Sequence, residues 1–354
     1  MNERVGRLRN AMQKDELDAV LLTSTHAIRY LSGFAGDDAT LIVTGNRVTL
    51  LVDSRYTVQA QAESQSRIAE ITHSNYLDTM KALLGDEQCQ SVGFEDESMS
   101  VAARVGFNSL GLNFIPYSAA CDRLRLIKSS DEVDKIQRAQ QIADRAFAEL
   151  LDKIRPGMSE KRVAAELTYL CGKLSSGGAA FPPIVASGPN GAMCHATSSD
   201  RQLQQGDLVV LDFGCTVDGY CSDMTRTIAI GKPGDEARRV YDIVLEAQRR
   251  ALDALRPGIS GRELDGVARE YITAQGCGEH FGHGLGHGFG LLIHEAPTAN
   301  KNAQEPLEAG MTVTVEPGIY LPDRFGVRIE DCCVLTETGH TNLASTPKEL
   351  IILG

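Results

Sequence analysis

Four of the eight histidines of this 354-residue chain lie in one short stretch, EHFGHGLGHGFGLLIHEAP, at residues 279–297. Glycines at 282, 284, 286, 288 and 290 alternate with the other residues of the stretch. Glycine is unfavourable in a helix, by about 1 kcal/mol relative to alanine, so the spacing predicts extended chain. The face of the extended chain that carries only glycines must then pack closely against another element. Because imidazoles bind metal ions and carry protons near neutral pH, the stretch indicates a functional site.

The histidine spacing limits how many of these side chains can bind one ion. In an extended chain His283, Leu285, His287 and Phe289 lie on the same face. His283 and His287 would lie ~13 Å apart, which is too far for both to bind one ion directly. We therefore expect at most one direct ligand, while the other histidines handle protons or contact substrate. His294, at an even-numbered position, would face the other side of the extended chain, and it joins the other histidines only if the chain turns back.

Four carboxylates stand where apolar, strand-like runs begin or end. Asp212 ends LVVLD, Asp223 follows it after a turn, Glu316 ends MTVTVE, and Glu330 lies in GVRIED. A buried carboxylate without a partner costs several kcal/mol or takes up a proton, so acids brought together need a shared proton or a cation. Oxygen ligands of this kind suit Mn²⁺, Co²⁺ or Fe²⁺ better than a thiolate-type zinc site does. The pattern predicts a metal site.

An internal repeat supplies these acids in pairs. The segment IRPGMSEKRVAAEL (154–167) resembles LRPGISGRELDGVA (255–268), and GDLVVLD (206–212) resembles GMTVTVE (310–316). Each first segment is a helix end, a turn and a capped helix start, and each second segment is a strand that ends in an acid. The C-terminal part is therefore predicted to consist of two related halves.

A change of pattern near residue 127 divides the chain into an N-terminal α/β domain, residues 1–127, and a C-terminal α+β domain, residues 128–354. The second domain begins with a long amphipathic helix that Ser129 or Ser130 caps and Pro156-Gly157 ends. The elements expected in the first domain are a strand over 18–24, a hairpin over 39–45 and 47–53, a helix beginning in DSRYTVQAQAE and a strand over 91–96.

The composition argues against several classes of protein. The net charge is −12, and Lys and Arg form no long run, so neither nucleic acid nor an anionic membrane surface is an expected partner. The N-terminal sequence does not resemble a secretory signal, and no apolar window approaches the ~18 residues of a membrane span. Nine scattered cysteines without a C-x-x-C pair indicate reduced thiols in a cytoplasmic protein. Cys194 and Cys215 are expected to be small buried packing residues.

The motifs resemble those of the pita-bread metallopeptidases, which include methionine aminopeptidase, aminopeptidase P and prolidase. The resemblance covers essentially the full length and is strongest to short bacterial Xaa-Pro peptidases. RYLSGF (29–34) and VDSRY (52–56) are similar to the creatinase-type N-terminal domain of that family. The C-terminal motifs LDFG, SDMTRT, GLGHGFG, VEPGIY and GVRIED are similar to those of its catalytic pita-bread domain, which has an internal pseudo-two-fold repeat.

The resemblance implies a centre of two divalent metal ions, with Mn²⁺ expected and Co²⁺, Fe²⁺ or Zn²⁺ as alternatives. The five implied ligands are Asp212, Asp223, His287, Glu316 and Glu330. The two aspartates would chelate one ion and His287 and Glu316 the other, while Asp223 and Glu330 would contact both.

The resemblance also implies roles for the remaining residues of these motifs. His195 would face the scissile carbonyl and, with His294, stabilise the oxyanion, while His283 would contact the proline side of the substrate. Glu316 would accept and relay the proton of the attacking water. Arg328 would either orient Glu330 or contact the substrate. No role is assigned to the other histidines, His26, His73, His280 and His340.

Two substrate preferences fit this resemblance. Prolidases, which cleave only Xaa-Pro dipeptides, must bind a nearby carboxylate, usually with an arginine after the His-Glu-x-Pro motif, and this chain has Thr298 there. This difference favours an aminopeptidase that removes the residue before a proline from longer peptides, although Arg328 or Arg55 could replace the missing arginine. The complete set of acids argues against a metal-free creatinase and against an inactive binding module.

The resemblance further implies a homodimer whose partners are peptides with proline at the second position. Asp53, Arg55 and Tyr56 are expected to fix the N-terminal domain or a subunit contact instead of taking part in the chemistry.

Overall fold

The protein divides into two compact units, residues 1–125 and 126–354, in a computed structural model that describes residues 2–64, 66–72 and 74–354. His73 lies outside the described residues. The two units are our candidates for the two domains, and the boundary at residue 127 stays a prediction. Among the described residues, none of the helices combines the length and the apolar character that crossing a membrane requires.

The first unit contains one six-stranded mixed sheet with helices between its strands. In order along the sheet the strands are β4, β3, β2, β1, β5 and β6, and β1 pairs antiparallel with β2 and parallel with β5. The strands are β1 Ala19–Leu22, β2 Thr40–Thr44, β3 Val48–Val52, β4 Arg67–Glu70, β5 Ser91–Phe94 and β6 Asn113–Pro116. The helices are α1 Asn2–Lys14, α2 Thr25–Ser32, α3 Thr57–Glu63, α4 Tyr76–Asp86, α5 Val101–Gly106 and α6 Ser118–Leu126. A short 3₁₀ helix spans Phe107–Leu110.

The strands and the hairpin predicted for this unit are confirmed, with slightly shorter bounds. The hairpin joins β2 to β3 in a register that pairs Thr40 with Leu51. The predicted helix begins only at Thr57, because Asp53 forms a turn. Its carboxylate accepts hydrogen bonds from the Arg55 backbone and guanidinium at 2.6–3.1 Å.

The second unit begins with the predicted long helix. Its helices are α7 Ser130–Leu151, α8 Glu160–Leu174, α9 Asp235–Ala254 and α10 Gly261–Ala274. Ser129, one of the two predicted caps, is the N-cap residue of α7, and it forms a capping box with Glu132. The helix ends at Leu151, five residues before Pro156, because Lys153 and Ile154 both donate their backbone N–H to the carbonyl of Leu150 and tighten the last turn.

The strands of the second unit form a four-stranded sheet, a three-stranded sheet and three hairpins. The four-stranded sheet has the order β19, β11, β8, β7, the three-stranded sheet the order β14, β17, β18, and the hairpins are β9/β10, β12/β13 and β15/β16. The strands are β7 Ile184–Ser187, β8 Leu208–Phe213, β9 Thr216–Val217, β10 Tyr220–Cys221, β11 Met224–Ile230, β12 Gly286–Gly288, β13 Glu295–Ala299, β14 Thr312–Val315, β15 Gly318–Leu321, β16 Phe325–Arg328, β17 Asp331–Leu335, β18 His340–Asn342 and β19 Ile352–Leu353. Short 3₁₀ helices span Gly188–Ala192 and Gly278–His280.

The internal repeat predicted from the sequence is present in the backbone. The first half contains α7, α8 and the antiparallel pair β8/β11, and the second contains α9, α10 and the antiparallel pair β14/β17. The turn before the second helix is held in the same way in both halves. Gly157 donates its N–H to Leu203 O at 2.9 Å, and Gly258 donates to Leu307 O at 2.8 Å.

Each half buries its apolar helix faces against its own strands. One core cluster joins α7 and α8 to β8 and β11, and another joins α9 and α10 to β14 and β17. Complete burial of each Val or Leu side chain contributes roughly 1.5–3 kcal/mol. These two cores hold the strand ends rigidly, and the predicted site residues lie at those ends.

Candidate metal centre

All nine predicted site residues line a single cavity of about 320 Å³ in the second unit. The cavity wall also contains apolar side chains, among them Phe181, Ile184 and Ile293. The nine residues are His195, Asp212, Asp223, His283, His287, His294, Glu316, Arg328 and Glu330. Residues that are far apart in the sequence and come from both repeats therefore meet at one place.

The strand pairs of the two repeats place the four acids. In β8/β11, Asp212 lies opposite Thr225, and Asp223 directly precedes β11. In β14/β17, Glu316 directly follows β14 and Glu330 directly precedes β17. Glu330 donates its backbone N–H to Thr225 O at 3.1 Å, which joins the two pairs. Each repeat thus contributes two acids at the ends of neighbouring antiparallel strands.

His287 lies among these acids. Its Nε2 is 3.3 Å from Glu316 Oε1 and 3.7 Å from Asp223 Oδ2. Asp223, His287 and Glu330 each offer one ligand atom, and these atoms lie within 4.8 Å of one another. The Nδ1 of His287 lies 3.1 Å from the carbonyl of Gly288, which can only accept, so the Nε2 lone pair faces the acids. Burial lowers the pKa of His287 to about 4, which keeps the ring neutral, as a metal ligand must be.

The acids together carry more negative charge than their surroundings compensate. Burial and then the Coulomb repulsion from the other acids raise the pKa values of Asp223 and Glu330 well above their ordinary range. Burial also raises the pKa of Glu316 to about 8. Among the described residues, Asp212 Oδ1 is buried and has no hydrogen-bond partner. An oxygen-rich set with one neutral imidazole and an unsatisfied carboxylate oxygen fits divalent metal ions.

Arg328 orients two of the acids. Its Nη2 is 2.5 Å from Asp212 Oδ2. Its Nε donates to Thr225 Oγ1 at 3.0 Å, and that hydroxyl donates to Glu330 Oε2 at 2.6 Å. The guanidinium is 3% exposed, and Nη1 is committed to Tyr320 and to the carbonyl of Cys194. Of the two roles predicted for Arg328, these contacts favour the orienting one.

The other three histidines lie at different depths in the cavity wall. Tyr320 donates its hydroxyl to His283 Nε2 at 2.9 Å, and burial lowers the pKa of His283 to about 4. The ring of His294 is 4.3 Å from the ring of His287. His195 and His294 are exposed. The cavity therefore presents one deep neutral imidazole next to a tyrosine and two imidazoles that solvent and substrate can reach.

The glycine-rich stretch is extended only over Gly286–Gly288, where the register shifts after His287. The prediction that His283, Leu285, His287 and Phe289 share a face is wrong, because Leu285 and Phe289 are fully buried in apolar cores while the two histidines line the cavity. The short strand and the shift break the period of two.

The close packing and the return of the chain are confirmed. A Cβ added at Gly286 would collide with the carbonyl oxygen of Thr314, and one at Gly288 with that of Ala296. Gly288 pairs with Glu295, so the chain turns back and brings His294 to His287.

The sequence did not identify Tyr320 or Thr225, and it misplaced Cys194. Cys194 was expected to be a buried packing residue, but it is half-buried in the cavity wall with its Sγ 3.4 Å from the Tyr320 hydroxyl. Cys215 is buried as expected. A signal for Tyr320 was available, since it alternates with the buried residues Ile319 and Leu321 in β15 directly after Glu316.

The residues singled out in the first unit form a local ionic network. Arg55 pairs with Asp53 at 2.6 Å and with Asp38 at 2.7 Å, and Tyr56 donates its hydroxyl to Asp37. The Arg55 side chain is 63% exposed. These contacts agree with the expected role in fixing the N-terminal domain, which stays a prediction.

Comparison with known protein families gives one match for each part of the chain. Residues 4–127 match the creatinase/prolidase N-terminal domain. Residues 134–337 match metallopeptidase family M24.

Relatives and solved structures extend this similarity over the full length. A Pyrococcus horikoshii protein named Xaa-Pro dipeptidase is 37% identical in an alignment of 359 positions, gaps included, that covers 99% of each protein. The structure of a Xaa-Pro dipeptidase from Bacillus anthracis is 41% identical, with a TM-score of 0.96 over 99% of each chain. The structure of an X-Pro aminopeptidase from Thermotoga maritima is 39% identical, with a TM-score of 0.90 over 96% of this chain and 98% of that one.

Proposed function

The chain belongs to metallopeptidase family M24 and is a metallo-exopeptidase, and on that premise we propose that it is a prolidase, which hydrolyses Xaa-Pro dipeptides. The observation that carries the proposal is the cavity in which four acids and His287 converge, with a buried Asp212 oxygen that lacks a partner among the described residues. Relatives that bear the name Xaa-Pro dipeptidase and match over their full length support the substrate class.

The proposed ligands of two divalent ions are the five residues of the cavity with oxygen or imidazole donors. Mn²⁺ is the expected metal, with Co²⁺, Fe²⁺ or Zn²⁺ as alternatives. When bound, such ions polarise a carbonyl and lower the pKa of water from ~15.7 to roughly 7. The five ligands are Asp212, Asp223, His287, Glu316 and Glu330.

The remaining groups handle protons and orient the substrate. To Glu316, which lies in the cavity wall beside His287, we assign the transfer of a proton from water to the leaving nitrogen. His195 and His294 are exposed to the cavity and donate hydrogen bonds to the oxyanion that develops on the scissile carbonyl. Asp212 accepts from the free α-amino group of the substrate, which limits cleavage to the first residue.

The proline of the substrate cannot donate a hydrogen bond from its nitrogen, so its binding site must not depend on one. A proline nitrogen in a peptide bond carries no N–H, so an apolar wall accepts it without leaving a donor unsatisfied. Phe181, Ile184 and Ile293 supply apolar surface on the cavity wall. We place the proline against this surface and His283, whose ring Tyr320 fixes.

An aminopeptidase that acts on longer peptides is the second candidate and was the preference drawn from the sequence. Thr298, which stands where prolidases usually carry an arginine, and the similar X-Pro aminopeptidase from Thermotoga maritima favour it. The dipeptidase fits better, because several full-length relatives and neighbouring structures bear that name.

The two candidates differ in their treatment of a free proline carboxylate. The protein is to be stripped with a chelator, reloaded with Mn²⁺ and assayed on Ala-Pro, Ala-Pro-Ala and Ala-Ala. A dipeptidase should cleave Ala-Pro at least about tenfold more efficiently than Ala-Pro-Ala, which corresponds to roughly 1.4 kcal/mol in the barrier. Equal or faster cleavage of Ala-Pro-Ala would establish the aminopeptidase. Failure on both proline peptides would reject both candidates.

A further inference from the structure

We infer that a buried acid on the second helix of each repeat positions one cavity histidine of that repeat. Glu160 on α8 holds the loop that carries His195, and Asp265 on α10, together with Arg269, holds the loop that carries His283. The kinetic consequence rests on the proposed function, but the positions of the two histidines can be measured without it.

Glu160 is fully buried and uses both carboxylate oxygens to hold one loop. Its Oε1 accepts from the backbone N–H and the hydroxyl of Ser187, both at 2.7 Å. Its Oε2 accepts from the N–H and the hydroxyl of Ser199, at 3.0 and 2.7 Å. The amide of Asn190 donates to both oxygens at 3.1–3.2 Å. One side chain therefore fixes the loop 187–199 at both ends and at Asn190.

This arrangement keeps Glu160 ionised in spite of its burial. Burial raises the pKa of Glu160, but the hydrogen bonds from Ser187 and Ser199 outweigh that effect and leave the pKa below its ordinary value of 4.5. A charged acceptor binds its donors more strongly than a neutral one does. His195 lies inside the loop, and its own side chain is exposed. The place of the imidazole is thus set mainly by the backbone that Glu160 holds.

In the second repeat, Asp265 and Arg269 hold the loop that carries His283. Asp265 is 1% exposed and accepts from Arg269 Nε at 2.6 Å and from Arg269 Nη2 at 2.8 Å. It also accepts the backbone N–H of Leu285 at 3.0 Å. Arg269 in turn donates to Phe281 O at 2.8 Å and to His283 O at 2.6 Å. The pair therefore binds the backbone on both sides of the His283 side chain and at His283 itself.

The two acids lie in corresponding segments of the two repeats, at different positions within them. Glu160 lies in IRPGMSEKRVAAEL and Asp265 in LRPGISGRELDGVA, the two segments that first revealed the repeat. Neither acid is among the described residues that line the cavity, so neither touches substrate or metal there. Both act through a loop that reaches the cavity. They are positioning residues, and their expected effect is on the histidines alone.

A double-mutant cycle tests this coupling. Glu160→Gln and Asp265→Asn keep the shape of each side chain and remove its charge, and each is combined with His195→Ala and with His283→Ala. With Ala-Pro, each acid variant should lose on the order of ten- to a hundredfold in kcat/KM, because a small misplacement of a catalytic group has that effect. Glu160→Gln should cause no further loss in the His195→Ala protein, but it should multiply the loss of His283→Ala. Asp265→Asn should show the opposite pattern.

Metal binding separates positioning from general damage. Titration calorimetry with Mn²⁺ should give an affinity within about twofold of the unaltered protein for Glu160→Gln, because the loop that Glu160 holds contains none of the five proposed ligands. Glu263→Gln is the matched control, because it changes an exposed acid of α10 and keeps the capping box that Glu263 forms with Ser260. It should leave kcat/KM unchanged. The inference would be overturned if each acid variant multiplied the loss of both histidine variants equally.

A second measurement does not depend on activity. In protein labelled with ¹³C at histidine Cε1 and loaded with Zn²⁺, Glu160→Gln should shift or broaden the His195 signal and leave the His283 signal unchanged, and Asp265→Asn should do the reverse. If either acid variant fails to fold, Ser199→Ala and Arg269→Lys weaken the same two loop attachments and leave Glu160 and Asp265 in place. Unshifted histidine signals in all these proteins would refute the inference even if Xaa-Pro cleavage is confirmed. Shifted signals in a protein that cleaves no Xaa-Pro peptide would reject only the proposed function.

Discussion

The two repeats of the second unit share a backbone plan but supply different chemistry. The first repeat contributes the shorter side chains Asp212 and Asp223, and the second contributes Glu316 and Glu330, each longer by one methylene. Only the second adds an imidazole, His287, among the acids. A repeated fold can therefore fix where carboxylates stand, while the loops between its strands determine what else reaches them.

The loops of the two repeats also differ in how the chain closes around the cavity. The first repeat presents His195 on a loop that one carboxylate holds through serine and asparagine donors. The second presents three histidines on a glycine-rich segment that packs directly against β13 and β14. Side-chain hydrogen bonds hold the loops of both repeats, and in the second they act together with the close backbone packing that the glycines around His287 permit.

The largest expected effect comes from removing one acid of each repeat. Asp223→Asn and Glu316→Ala should each lower kcat on Ala-Pro on the order of 1,000-fold or more, because each removes a charge that the metal ions need. Metal content after dialysis should fall in both. Asp218→Asn is the control, because Asp218 is a half-exposed turn residue of the first repeat. Full, chelator-resistant cleavage by either acid variant would contradict the joint role of the two repeats.

Arg328 connects the repeats, and its replacement should have a smaller effect. Arg328→Lys keeps the positive charge but loses the planar guanidinium, whose Nη2 and Nε bind Asp212 and Thr225 at the same time. Loss of such an orienting partner is expected to weaken Mn²⁺ affinity or activity by roughly 10–100-fold. Titration calorimetry and kcat/KM measure this effect. Arg238→Lys, in an exposed ion pair with Asp242, should be silent. Equal behaviour of the two lysine variants would show that Arg328 orients neither acid.

The stability of the metal-free protein should depend on pH through the acids of both repeats. The pKa of Glu316 rises from 4.5 to about 8 on folding, so the folded protein holds more protons and loses stability as pH rises through this range. The pKa values of His283 and His287 fall from 6.5 to about 4 on folding, so these histidines make the protein more stable as pH rises from about 4 to 6.5. Above pH 6.5 they are neutral in both states and add no further pH dependence. Between pH 6.5 and 8 the metal-free Tm should therefore fall.

Metal ions should remove this dependence, because they replace the protons. With saturating Mn²⁺ the Tm should change little between pH 6.5 and 8, and calorimetry in buffers of different ionisation enthalpy should detect proton release on binding. Glu316→Gln should flatten the metal-free curve. A metal-free Tm that stays constant or rises across this range would contradict the raised pKa of Glu316 and show that the acid is ionised without a cation.

The acids were predictable from the sequence because of where they stand. A carboxylate that directly follows a run such as LVVL or TVTV occupies a position that burial makes unfavourable, and this signal needs no knowledge of the fold. The predicted fold class, with its creatinase-type and pita-bread parts, followed from the resemblance of the motifs to a known family, and it is confirmed.

The contacts of Cys194 and Tyr320 were not predictable in this way. These residues are 126 positions apart and meet only because both repeats face the cavity. The predicted alternation failed at Leu285 because the strand begins only at Gly286, and at Phe289 because a register shift after His287 changes which side a residue faces. The preference for longer peptides rested on Thr298 alone, and one position opposite His287 in a hairpin says little about the rest of the cavity.

The smallest expected effect compares the caps of the two second helices. Ser159 accepts the N–H of Arg162 at 3.3 Å, whereas Ser260 accepts from Glu263 N at 3.2 Å and also donates its hydroxyl to the Glu263 carboxylate at 2.8 Å. Ser159→Ala and Ser260→Ala should each lower the free energy of unfolding by about 0.5–2 kcal/mol, and the second change should be the larger because it removes two bonds. Denaturant unfolding of Mn²⁺-loaded protein measures both values. A larger loss for Ser159→Ala would mean that the cap of α8 also supports its neighbour Glu160, and that variant should then lose activity through His195 as well.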